Sequence, residues 1–163
     1  MSLPDLAAVL WRQRELLERL VYRLECEQLL LAAGRTRFLS IATGEVEALL
    51  DDLRIVELQR AAIADAAARS LGLPAGASLE ELAGTAQPPW SEVLLEHRQA
   101  LLTLTGELSV AAEANKHLMA AGLAAVEQAL TGLGLREDAG ATGYDARGRR
   151  SFLTGATVVD RAL

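Results

Sequence analysis

The chain has 163 residues, a net charge of −6, 51% hydrophobic residues and only 4% aromatic ones. One domain is the default at that length, and a composition led by Leu and Ala favours helices packed on helices over a β core. The acidic balance disfavours nucleic-acid binding, which needs a basic surface to neutralise phosphates.

The single Cys26 has no internal disulfide partner and fits a reducing compartment. No signal peptide is expected, because Asp5 precedes the first apolar run and no basic segment leads it. Charges interrupt every apolar run of membrane-spanning length, so no membrane span is expected.

The first predicted helix runs from about Pro4 to Ala33, with Ser2 or Leu3 at its cap and Pro4 in its first turn. Its seam is Leu6, Leu10, Gln13, Leu17, Leu20, Leu24 and Leu31, interrupted by Glu27. Leu16, Val21 and Leu30 widen the stripe, which suggests two neighbours and therefore a bundle. Gly34 is expected to end the helix in the left-handed conformation.

The second helix is predicted from near Thr36 to near Leu71, antiparallel to the first because the connection is short. Its seam reads Leu39, Ala42, Val46, Leu49, Leu53, Val56, Ile63 and Ala67, with Arg60 as the exception. Thr43-Gly44 is a weak point, but Leu39 and Ala42 keep the phase and favour continuity. Arg60 is expected to bury its stem and hold its head near an acid such as Glu57. Between Leu71 and Trp90 lie three glycines and three prolines. Ser78-Leu79-Glu80-Glu81 has capping-box spacing, so a short helix from Ser78 to about Ala83 is predicted there.

The longest helix is predicted from Ser91 to Leu133, on the order of 65 Å at about 1.5 Å per residue. A compact chain of this length has a radius of gyration of about 15 Å. The helix must therefore run along an elongated bundle or kink. Its seam is Leu94, Leu101, Leu104, Leu108, Ala111, Leu118, Ala125 and Ala129, with His97, Asn115 and Gly122 filling the other places. A polar Asn115 in a seam fixes neighbour choice at a cost in stability, so Asn115→Leu is expected to raise the melting temperature. After Leu118, the residues Met119, Leu123, Val126, Leu130 and Leu133 form a second apolar stripe in a shifted, stutter-like phase. That surplus is either local bundle packing or a docking surface for another chain's amphipathic helix.

Helical periodicity vanishes from Arg136 on. The expected organisation is a helical bundle over 1–135 and a mobile tail over 136–163, with five Arg and four acidic residues in the tail. Tyr144-Asp145-Ala146-Arg147-Gly148 is either a turn packing Tyr144 on the bundle or a short motif read by a partner. No catalytic constellation emerges, and neither a metal nor another cofactor is called for. His97 and His117 lack the Glu-x-x-His spacing of a bundle di-metal site. The fold class is thus all-α: an elongated antiparallel bundle or coiled coil of three long helices plus one short helix, with a flexible C-terminal tail.

The order of these parts resembles the FlgN family of flagellar type III export chaperones. The resemblance is carried by Leu16 to Gly34, Val46 to Leu58, Glu107 to Leu130 with Asn115-Lys116-His117-Leu118, and Tyr144 to Gly148. It implies a chaperone rather than an enzyme, a monomer or weak dimer that binds the terminal helices of hook–filament junction proteins of the FlgK and FlgL type. It implies that these are kept from assembling early and are brought to the flagellar export apparatus. By the same resemblance, Leu118, Met119, Leu123, Val126, Leu130 and Leu133 would contact the client, and Tyr144 with Asp145 the export gate. The alternative without a client is a structural coiled-coil scaffold or self-assembling adaptor.

Overall fold

The computed structural model describes residues 2–132, and side chains as far as residue 129. Four α-helices follow in order: α1 (Leu3–Ala32), α2 (Leu39–Ser70), α3 (Leu79–Thr85) and α4 (Trp90–Gly132). A one-turn 3-10 helix, Thr36–Phe38, leads into α2.

The start of α1 is set by Ser2 and Pro4. The Ser2 hydroxyl donates to the Asp5 carboxylate at 2.8 Å and the Ser2 N–H at 2.7 Å; the hydroxyl bond first, and then the backbone bond, lowers the Asp5 pKa. At the far end Gly34 adopts φ +66°, and its N–H bonds the Leu31 carbonyl at 3.1 Å. That is the left-handed helix stop expected of it.

α1 is the middle rod. It packs against α2 on one side and α4 on the other, and Leu6, Leu10, Leu17, Leu20 and Leu24 are fully buried. Contacts to α2 run in opposite numerical order: Gln13 to Glu57 (2.9 Å), Arg23 to Glu45 (3.0 Å) and Glu27 to Thr43 (2.8 Å). The two helices are antiparallel. Contacts to α4 rise together, from Arg14 with His97 (3.4 Å) to Leu24 with Asn115 (2.9 Å), so that pair is parallel.

α2 runs unbroken through Gly44. Its buried face is wider than its predicted seam, since Leu50, Ala64 and Ala68 are also inside. Ser78 caps α3, accepting from the Glu81 N–H at 3.2 Å while Glu81 accepts from the Ser78 N–H at 2.7 Å. α3 buries Leu79, Leu82 and Ala83 and lies against α4, with Glu80 and Arg98 paired at 3.0 Å. It closes the end of the bundle where α1 begins.

On α4 the predicted seam is buried at Leu94, His97, Leu101, Leu108, Ala111 and Asn115. It stops there: Leu118 is half-buried, while Gly122, Ala125 and Ala129 are exposed. Thr105 is buried although polar, because its hydroxyl donates to the Leu101 carbonyl at 2.7 Å. No helix among the described residues is long and apolar enough to cross a membrane.

Candidate functional site

Asn115 lies level with Leu24 and Glu27, to which it is hydrogen-bonded. Both helices rise at the same rate per residue, so the last residue of α1, Ala32, lies level with about residues 120–123 of α4. α4 continues to Gly132. Roughly the last ten residues, about 15 Å, therefore project past the end of the rod that covers the rest of its inner face.

The projecting face continues the core. Eighteen residues make five turns of an α-helix, and Met119, Leu123 and Val126 stand eighteen residues after Leu101, Thr105 and Leu108. The apparent change of phase after Leu118 is thus the drift of a 3.5-residue seam around a straight helix. The apolar stripe stays on the side that meets α1 lower down, but α1 has ended. Met119 is half-buried, Leu123 is 48% exposed and Val126 56% exposed. Leu130 lies in α4, with its side chain outside the described set. Leu133, Tyr144 and Asp145 lie outside the described residues, as does the 136–163 tail.

Below this stub lies the turn joining α1 to α2. Gly34, Arg35, Thr36, Arg37 and Phe38 line a depression of about 290 Å³. The Arg37 guanidinium sits 4.5 Å over the Phe38 ring. Among the described residues neither Arg35 nor Arg37 has an acidic partner. The sequence places a helix stop at Gly34 and the start of the second helix near Thr36, three residues before α2 begins at Leu39, and assigns Arg35 and Arg37 no role. The two arginines flanking Thr36, next to a helix-ending glycine, were the available signal.

Beneath the stub a polar relay crosses the bundle. The Thr43 hydroxyl donates to Glu27 Oε1 at 2.8 Å, and Asn115 Nδ2 donates to Glu27 Oε2 at 3.0 Å and to the Leu24 carbonyl. One buried carboxylate thereby joins all three long helices. The sequence marked Glu27 and Asn115 as separate breaks in two seams and did not pair them. Arg60 is buried on α2, and its Nε donates to Glu57 Oε2 at 2.9 Å.

His97 is buried against Trp11, edge to face at 5.1 Å, and accepts on Nδ1 from Arg14. Burial pushes its pKa below the usual histidine value, and the Arg14 charge pushes the same way. Among the described residues no cluster of His, Cys, Asp and Glu is placed to hold a metal ion. A second concavity, about 360 Å³, lies between α1 and α4 and is lined by Val21, Glu25, Gln28, Gly106, Glu107 and Val110 among others. Glutamates stand on both of its walls, Glu25 on α1 and Glu107 on α4.

The family model described as FlgN protein matches residues 1–151. No curated protein and no solved structure matches the chain.

Proposed function

Since the chain belongs to the FlgN family of flagellar export chaperones, we propose that its projecting α4 stub receives a terminal helix of a hook–filament junction protein of the FlgK or FlgL type. The family is one of chaperones rather than enzymes. In this reading the protein works in the cytoplasm as a monomer or weak dimer. It holds its client unassembled and hands it to the export gate, which its tail contacts through Tyr144 and Asp145. The client lies across Leu118, Met119, Leu123, Val126, Leu130 and Leu133.

The observation that carries this reading is the exposure of Leu123 and Val126 on the line of the bundle core. An apolar stripe that continues a core without its covering helix gains by accepting a foreign one. Each Leu or Val that a client buries contributes about 1.5–3 kcal/mol before ordering costs. Three or four such anchors reach micromolar affinity, about −8 kcal/mol, which suits a cargo that must later be released.

The test is a titration of labelled junction-protein C-terminal peptides against the full chain and its Leu123→Asp/Val126→Asp variant. Binding should disappear in the variant while its helical circular dichroism persists. Undiminished binding moves the client site off the stub.

A second reading, a self-assembling scaffold, draws on Ile41, Ile55 and Leu58, which are 61%, 54% and 74% exposed on α2. Sedimentation separates the two. A scaffold is a stable oligomer alone, whereas a chaperone is a monomer or weak dimer that becomes heavier only with client.

A further inference from the structure

We propose that the helix received by the α4 stub lies antiparallel to α4 and sets its free C-terminal carboxylate on the Arg35–Arg37 turn. This rests on the client reading above and adds the client's direction and the group that is read.

The geometry starts from the stub's inner face. Leu123 and Val126 occupy the direction that Thr105 and Leu108 hold five turns earlier, where α4 meets α1. An occupant of that face therefore stands on the continuation of the α1 axis. Its lower end meets the turn that closes α1, the depression lined by Gly34, Arg35, Thr36, Arg37 and Phe38.

Charge then chooses which end points down. A helix N-terminus carries the positive end of the peptide dipole and a C-terminus the negative end. The floor presents two exposed guanidiniums with no acidic partner among the described residues. The C-terminal pole of α1 and the N-terminal pole of α2 meet at this turn and oppose each other, which leaves the guanidiniums to decide: an N-terminal end there meets like charge, while a C-terminal end meets donors for its unsatisfied carbonyls. Acidic side chains of the client's last turn answer this floor less well. Helical side chains tilt toward their own N-terminus, which here means up and away from the turn. The terminal carboxylate, at the end of the chain, is the group that reaches it. Arginine's planar fork suits a carboxylate.

The experiment compares two versions of one synthetic junction-protein C-terminal peptide, with a free carboxylate or a C-terminal amide, binding to the full chain. Amidation should weaken binding about tenfold or more, the scale of one charge-assisted hydrogen bond. In Arg35→Gln/Arg37→Gln the two peptides should bind alike, at the affinity of the amide. A photo-crosslinker at the peptide's last residue should label the 34–38 turn, and one at its first contact residue the end of α4. Equal affinity of the two peptides for the unaltered chain, or crosslinks in the reverse order, overturns the inference and leaves the client reading standing. Failure of both peptides to bind, or binding untouched by Leu123→Asp/Val126→Asp, overturns both.

Discussion

Asn115 donates to the Leu24 carbonyl and to the Glu27 carboxylate, and Glu27 is 2% exposed. A leucine at 115 strips that buried carboxylate of a donor, which costs about 1–3 kcal/mol. The seam position alone pointed to a gain in stability from Asn115→Leu. The partner reverses the sign, so the variant should melt below the parent. Replacing Glu27 by Leu as well should recover much of the loss, because then no buried charge is left unpaired. A Tm for Asn115→Leu at or above the parent value counts against the relay. His97 gives a pH dependence of definite sign. Its folded pKa is depressed by burial and by Arg14, so the unfolded chain takes up the proton first, near the ordinary value of about 6.5. Stability should fall as pH drops from about 6.5 toward the folded pKa and should be insensitive to this group at pH values above about 6.5. His97→Gln removes that slope, and denaturant midpoints between pH 5 and 7 in the two proteins check it.

α4 carries two kinds of position on one line. Leu108 is 5% exposed and Val126, five turns later, is 56% exposed. Leu108→Ala should cost about 2–5 kcal/mol, while Val126→Ala should stay within about 0.5 kcal/mol in the free protein. Urea titrations of the two variants measure both, and similar losses contradict an uncovered stub. Much at this scale was legible in the chain. Pro4, Gly34 and the Ser78–Glu81 box mark their helix boundaries through local chemistry alone, and leucine spacing gives the buried stripe of α1. The width of the α2 face was not legible, because Ala64 and Ala68 are buried by a neighbour whose closeness no spacing announces. Thr105 escaped for a related reason, since a hydroxyl bonded to its own helix packs like an apolar group. The supposed stutter after Leu118 came from counting in sevens along a helix that turns every 3.6 residues.

Among the described residues α1 stands between α2 and α4, and no other helix there runs beside the last turns of α4. Amides over residues 122–129 should exchange with deuterium well before those over 97–115, since only the latter are in packed helix. A bound client peptide should slow the first group selectively. Uniform exchange along α4 would mean that the upper turns are covered already. The apolar residues of this region could be read from the sequence, but their exposure could not. It depends on where α1 stops relative to α4, a relation between segments some ninety positions apart. The Thr43–Glu27–Asn115 relay supplies that relation. It ties all three rods at one height, just below the free portion of α4, and so acts as a measuring stop. If α4 slid by one turn, about 5.4 Å, the carboxylate would lose its amide donor and one more or one fewer apolar turn of α4 would stand clear of α1. A single buried acid thus sets how much of α4 stands clear of α1.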